Sequence, residues 1–280
     1  MNKTAIALGT FDGVHLGHRA VIEATVSSGF NPVAVVFKFP PKMYFDNSVG
    51  CITSLQDKDA ALKKLGIKQI YYLDFPQIRD MSPKDFLVYL KNQYNPAFIS
   101  CGFNYHFGRG GKGDTKLLAE FCRDNSITLK ICQPVTALGS TVSSTYIREL
   151  LRQGEIEKAN KLLPREFGFC AAVIKGDERG RTIGYPTANQ LYPNELAEIM
   201  HGVYKSKITV NGKTYKAITN IGHRPTFKTD EVGAETYILD FYDDIYGFVA
   251  DVRLIEFIRQ EQKFDSIEQL KSAIEKDLKK

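Results

Sequence analysis

Hydrophobic period changes once along this chain of 280 residues, near residue 163, and nothing else constrains the fold as tightly. Before that point, short apolar runs over 3–8, 32–37, 69–73, 97–101 and 127–131 alternate with helical patterns over 18–27, 53–65, 83–92 and 115–125. The run over 32–37 is continuously apolar, as a strand covered on both faces requires. Gly66 stands where a helix C-cap belongs, and Ser82 caps a helix that opens on Pro83. One long helix is expected over 143–163, with Ile147, Leu150, Leu151, Ile156, Ala159 and Leu163 along it. Such alternation predicts a parallel sheet with helices on both faces and ligands at the carboxyl ends of its strands. After Pro164, strand patterns follow one another over 167–174, 203–210, 213–220, 236–241 and 248–258. Asn211-Gly212 is a type I′ hairpin signal between two of them, and 243–247 reads as a second turn. A terminal helix follows, capped by Asp265 or Ser266 and striped by Ile267, Leu270, Ile274 and Leu278. The expectation is an α/β chain of two domains. Residues 1–162 form a parallel sheet, and residues 163–280 a small antiparallel β-barrel with a terminal helix.

Three stretches of the first half carry chemistry. Residues 9–18, GTFDGVHLGH, join the first strand to the first helix. Gly9, Gly13 and Gly17 allow tight turning, and His15 and His18 stand three apart near a helix N-terminus, where anions are favoured. Residues 142–151, VSSTYIRELL, crowd Ser143, Ser144 and Thr145 at another helix start with Arg148 one turn on, which suits a second phosphate grip. Residues 101–114, CGFNYHFGRGGKGD, satisfy G-x-G-x-x-G through Gly108, Gly110 and Gly113. That makes an NAD-binding oxidoreductase an alternative reading.

In the second half, residues 175–189 read KGDERGRTIGYPTAN. Thr187 and Asn189 present two hard oxygen donors two residues apart, suited to Mg²⁺ held together with nucleotide phosphate. Residues 220–227, NIGHRPTF, and 235–241, ETYILDF, complete the set.

Charge and composition narrow the function classes. A net charge of +5 without like-charge blocks or a basic aromatic stripe gives no footprint for nucleic acid. Five cysteines without a C-x-x-C pair point to a reduced, cytoplasmic protein without a structural zinc site. No signal peptide and no apolar run of membrane-spanning length is present, so no membrane partner is expected, and no protein partner is indicated.

Taken in order, these motifs resemble those of the bacterial bifunctional riboflavin kinase/FMN adenylyltransferases, also called FAD synthetases. The HxGH of residues 15–18 resembles the nucleotidyltransferase superfamily's signature, and the match runs from Thr10 to about residue 277. The resemblance implies a Rossmann-like nucleotidyltransferase domain followed by a riboflavin kinase barrel. It implies riboflavin, FMN, FAD and ATP as ligands, with ATP as co-substrate and Mg²⁺ as cofactor. In the first domain His15 and His18 would be catalytic, with Gly9, Phe11, Ser144, Thr145 and Arg148 also at ATP, and Asn104 and Tyr105 at the flavin. In the second, Glu235 would be the catalytic carboxylate. Gly184, Thr187 and Asn189 would hold ATP and metal, and Arg259 would line the flavin. The chain departs from the family pattern at residues 37–41, FKFPP, where Lys38 replaces an acid and Pro40 a histidine, and at Tyr146, where arginine is usual. A riboflavin kinase with an impaired or altered adenylyltransferase half is the alternative these departures raise, and a non-enzymatic flavin binder is a further one.

Overall fold

The computed structural model describes residues 3–46, 48–176, 184–223, 231–264 and 266–278. It forms two compact units, Met1–Tyr146 and Ile147–Lys280.

The first unit runs β1 (Thr4–Leu8), α1 (Leu16–Val26), β2 (Asn31–Phe37), α2 (Leu55–Lys64) and β3 (Gln69–Leu73). The single turn α3 (Phe75–Ile78) leads to α4 (Pro83–Tyr94), β4 (Pro96–Gly102), α5 (Thr115–Asp124) and β5 (Thr128–Cys132). A small hairpin of β6 (Thr136–Ala137) and β7 (Ser140–Thr141) precedes α6 (Ser144–Arg152). The five main strands pair in parallel in the order β3-β2-β1-β4-β5. The chain builds outward from β1 to β3, then returns to lay β4 on the other side of β1, so a crevice opens where β1 and β4 end. Two cores cover the sheet. Ile6, Leu8, Val33, Val35, Ile99 and Phe86 meet on one face, and Ala7, Ala34, Val36, Ile22 and Leu62 on the other. The small Ala7 and Ala34 belong to the face that α1 covers. There Ser100 of β4 donates to the Val21 carbonyl of α1 at 2.9 Å and also bonds Thr25.

The first helix begins two residues earlier than its apolar spacing predicts. Leu16 opens α1, which makes His15 its N-cap rather than a residue beside it.

The helix expected over 143–163 is two helices, α6 and α7 (Ile156–Leu162). Gly154 breaks it at φ +76°, and the Glu155 and Gly154 amides turn back to the Leu150 and Leu151 carbonyls at 2.9 and 3.1 Å. This is a glycine C-cap inside a continuous apolar pattern.

The remaining strands are β8 (Gly168–Ala172), β9 (Thr187–Leu191), β10 (Gly202–Val210), β11 (Lys213–His223), β12 (Val232–Ile238) and β13 (Val249–Arg259). They pair antiparallel in the order β8-β13-β10-β11-β12-β9, and an Ile174–Asn189 bridge brings the two ends together into a nearly closed barrel. Inside, Ser206, Thr219 and Thr236 form a hydroxyl chain at 2.8 and 3.0 Å, all three fully buried. Asn211 and Gly212 both take positive φ, 50° and 73°, as the type I′ turn requires. Strand β9 was not foreseen, because its polar TANQL lacks the alternation that marks a strand.

The last helix, α8 (Ile267–Leu278), starts where Ser266 Oγ accepts from the Gln269 amide at 3.3 Å; Asp265 lies outside the described residues. Its expected apolar stripe is half-buried at Leu270, Ile274 and Leu278, and its most buried residue is a charged one. Ile267 is 55% exposed, while Asp277 is 5% exposed and grips Arg259 of β13 through bonds of 2.8 and 3.1 Å.

Candidate active sites

In the first unit, the turn after β1 is held in strained conformations. Phe11 and Val14 have φ of 49° and 42°, which non-glycine residues rarely adopt. Gly9 makes room for this, since a Cβ there would lie 2.9 Å from the Phe11 ring. The turn is then tied on several sides. Asp12 accepts from the Ile52 amide at 2.9 Å, Gly13 donates to Thr53 Oγ1 at 3.2 Å, and Ser144 Oγ donates to the Asp12 carbonyl at 3.0 Å. Ser144 therefore stands against the histidine turn although 132 residues separate it from Asp12.

His15 caps α1, its Nδ1 accepting from the His18 amide at 3.3 Å. The two rings stack at 3.6 Å, and Phe11 meets the His18 ring edge-on at 5.2 Å. Gly17 permits the close fit, for a Cβ there would press on the His15 ring at 3.2 Å. Among the described residues His18 Nδ1 is buried without a hydrogen-bond partner. Burial, then His15, then the Lys58 ammonium hold the His18 imidazole well below its ordinary pKa. The His18 ring can therefore act as a neutral N–H donor. With Nδ1 occupied as an acceptor, the proton of neutral His15 is on Nε2.

Lys58 is a buried neighbour of the histidine turn that sequence reading missed. It is 3% exposed and donates to the carbonyls of Phe37 and Lys38 at 2.6 and 2.8 Å, with the Tyr72 ring 5.6 Å away. Burial lowers its pKa, opposed first by Asp12. Its spacing from Leu55 and Leu62 put it on the buried stripe of α2, a signal that was available. The side chain of Lys38, by contrast, is exposed, and Pro40 is buried.

Thr145 is exposed, and Arg148 follows within α6 as a buried residue. Asn104 is exposed over Gly102, in the turn after β4. Tyr105 stacks on Phe107 at 5.7 Å, and burial pushes its hydroxyl pKa up. Both rings line a cavity of about 510 Å³ with Phe37, Phe75 and Phe86, rimmed by Lys42, Arg79 and Arg109. An aromatic slot with cations at its mouth suits a flat ring system that carries phosphate.

The glycines of GRGGKG do not build a dinucleotide site. Phe107 and Gly113 exchange backbone bonds of 3.0 and 2.9 Å, and a Cβ at Gly113 would strike the Phe107 ring at 2.6 Å. The helix that follows has its N-terminus filled by Asp114, whose carboxylate accepts from Lys116 and Leu117 at 3.1 and 2.9 Å. An anion already occupies the place a pyrophosphate would need.

In the second unit, Asn189, Glu235 and Asn220 are direct cross-strand partners on β9, β12 and β11, and so share one face in one row. Glu235 is half-buried, and Asn189 is 6% exposed. Asn189 Nδ2 donates to the Thr187 carbonyl at 3.1 Å, which turns its Oδ1 the other way. A Cβ at Gly176 would fall 2.6 Å from the same amide. Thr187, Asn189 and Pro186 line a cavity of about 300 Å³ with Phe241, Asp243 and Tyr246, and Lys175 lies 5.9 Å over the Tyr246 ring. Gly184 is exposed in the turn before β9, at φ +89°. The preceding residues 177–183, and residues 224–227 of NIGHRPTF, lie outside the described residues. His223 is exposed, its ring 4.8 Å from His201. Arg259 does not join this row through its guanidinium, which is engaged by Asp277. Gln190, also unforeseen, is buried and donates to the Ala171 and Ala250 carbonyls at 2.7 and 2.9 Å.

The FAD synthetase family model matches residues 1–146, and the riboflavin kinase model, Flavokinase, matches residues 163–280. A Listeria monocytogenes protein named bifunctional riboflavin kinase/FMN adenylyltransferase is 37% identical, over 99% of this chain and 90% of its own. Proteins of the same name from Bacillus subtilis and Escherichia coli K12 are 34% and 31% identical, over 98% and 97% of this chain and 90% of theirs. This chain belongs to the bifunctional riboflavin kinase/FMN adenylyltransferase family. It is an enzyme with both family domains, and neither a kinase-only chain nor an oxidoreductase is supported. A crystal structure named as a macrolide-efflux protein from Streptococcus pneumoniae matches with a TM-score of 0.91 at 29% identity, covering all of this chain and 94% of that one. Among the described residues no helix is long and apolar enough to cross a membrane.

Proposed function

We propose that the riboflavin kinase/FMN adenylyltransferase works through two separate sets of residues, one in residues 1–162 and one in residues 163–280. In the second, a ribityl hydroxyl of riboflavin attacks the γ-phosphorus of ATP. The bond from that phosphorus to its bridging oxygen breaks, ADP leaves, and Glu235 takes the hydroxyl proton. Gly184, Thr187 and Asn189 face the nucleotide. Thr187 and Asn189 would also hold Mg²⁺, since an alcohol and an amide oxygen turned away from its own hydrogen-bonded nitrogen suit a hard cation. When bound, the ion neutralises charge on the phosphates. In the first domain, an FMN phosphate oxygen attacks the α-phosphorus of a second ATP, and pyrophosphate leaves with the bridging oxygen. His15 and neutral His18 donate N–H bonds to the charge that develops. Gly9 and Phe11 shape the turn, and Ser144, Thr145 and Arg148 add hydroxyls and a guanidinium. Asn104 and Tyr105 take the flavin in the aromatic slot. Arg259, its guanidinium fixed by Asp277, lines the flavin side of the kinase site. A chain that consumes ATP and keeps free thiols belongs in the cytoplasm.

The observation that carries this reading is the separation of the two sets. The stacked histidines with Ser144 belong to one unit, and the Asn189–Glu235 pair to the other. The test follows directly. Glu235→Gln should lower FMN formation by about 10²–10⁴-fold while FAD formation from supplied FMN persists. His15→Ala with His18→Ala should do the reverse. Loss of both activities from either change in a folded protein refutes the assignment.

A further inference from the structure

Asn220 stands beside Glu235 in the row that runs from β9 to β11. Its Nδ2 donates to Glu261 Oε1 at 3.0 Å. A carboxylate can only accept, so this bond fixes which way the amide faces. Asn220 Oδ1 must then point away from Glu261, and there it is buried with no hydrogen-bond partner among the described residues. A buried acceptor left empty is destabilising, so its persistence asks for a ligand that fills it. Gly222 makes the arrangement possible. It lies two residues along the same face, and any Cβ there would collide with the Glu261 carboxylate.

Two acceptors therefore stand side by side on adjacent strands, the Glu235 carboxylate and Asn220 Oδ1. The ligand they match has two neighbouring donors on one flexible chain. The ribityl chain of riboflavin has this pattern, a terminal hydroxyl next to a hydroxyl on the adjoining carbon.

We propose that Asn220 is a specificity-determining residue of the kinase reaction: its Oδ1 accepts from the hydroxyl next to the reacting one, while Glu261 is the positioning residue that locks the amide. The proposal rests on the reading of Glu235 as the base for the terminal hydroxyl. It gives Asn220 the task of setting the register of the ribityl chain, so that the terminal oxygen and not its neighbour meets the γ-phosphate. A polyol chain offers several similar nucleophiles, and one fixed contact to the second hydroxyl distinguishes them.

The test is a cycle between enzyme and substrate, run on the full-length chain with Mg·ATP. Riboflavin is compared with 4′-deoxyriboflavin, which lacks the neighbouring hydroxyl, in the native enzyme and in Asn220→Ala. The native enzyme should lose about tenfold or more in kcat/KM with the deoxy analogue. Asn220→Ala should accept both substrates within about threefold of each other, because the partner of that hydroxyl is gone. A destabilised barrel would lower both rates together and leave their ratio as in the native enzyme. An analogue penalty that is the same in Asn220→Ala, or a native enzyme that does not discriminate, overturns the proposal. If Asn220→Ala does not fold, Glu261→Gln is used in the same cycle. Its amide can donate as well as accept, so the Asn220 amide is released to turn and the penalty should fall by about threefold or more; an unchanged penalty overturns the proposal. Glu235→Gln is assayed alongside. If it still forms FMN, the base assignment fails, yet the Asn220 cycle still reports whether amide and hydroxyl are coupled.

Discussion

Acidification should weaken the first unit through one proton on His18. In the folded chain burial, the His15 ring and the Lys58 ammonium all disfavour the imidazolium. In the unfolded chain His18 titrates near 6.5. Above that pH the imidazole is neutral in both states and adds no pH dependence. Below it the unfolded chain binds a proton that the folded chain refuses, so stability falls as pH falls through the window between the ordinary and the lowered value. The slope there approaches about 1.4 kcal/mol per pH unit for one proton. The chain has no tryptophan, so amide exchange of β1 and β4 residues at pH 7.5, 6.5 and 5.5 is the suitable measure of this unit's opening free energy. His18→Gln keeps a polar side chain but cannot titrate, and it should flatten the loss between pH 6.5 and 5.5 by about 1 kcal/mol. Lys58→Met removes the cationic one of the three causes and so raises the folded-state pKa of His18 toward its ordinary value; the window should narrow from its low-pH end and the total loss should shrink without vanishing. In a histidine NMR titration the His18 ring should stay neutral well below pH 6.5. Equal pH dependence in the native protein and His18→Gln would refute the account, as would a His18 resonance that titrates near 6.5.

Other perturbations test the packing around the sites. Gly113→Ala places a methyl against the Phe107 ring and should cost about 1–3 kcal/mol, read as a lower melting temperature. Asp277→Asn leaves Arg259 without its carboxylate; because the guanidinium is partly exposed, we expect about 2–3 kcal/mol, with faster amide exchange concentrated in α8. Asp114→Ala should cost about 1 kcal/mol as a lost N-cap, and NAD(H) titrated against either form should produce no saturable binding.

Local patterns made much of this fold legible. Five parallel strands and the barrel strands from β10 onward were marked by apolar runs, by Ser82 and Pro83, and by Asn211-Gly212, all of which act within a few residues. What the sequence hid is nonlocal or masked by chemistry. The apolar stripe over 147–163 runs unbroken through Gly154, so the break between α6 and α7 shows only in the left-handed backbone there. Lys58 went unnoticed because its partners, the Phe37 and Lys38 carbonyls, lie far back along the chain at the end of β2. The residues of PTAN were visible as donors, but not as the start of a strand. The register that sets Asn189 against Glu235 depends on β9 and β12 meeting across more than forty intervening residues. The ion pair of Arg259 with Asp277 was hidden because nothing local to Arg259 points to the last helix.

The barrel closes on a seam rather than a full ladder. Between its terminal strands the Ile174 amide donates to the Asn189 carbonyl at 2.7 Å, and Gln190 reaches the Ala171 carbonyl from within. Every other neighbouring pair of strands shares a run of paired residues. A cylinder stitched in this way opens first at its stitches, and Asn189, at one of them, also lines the cavity beside Pro186 and Thr187. Fastening the cylinder and shaping that cavity share one residue, and the exchange rate of a single backbone hydrogen, that of Ile174, reports on the fastening.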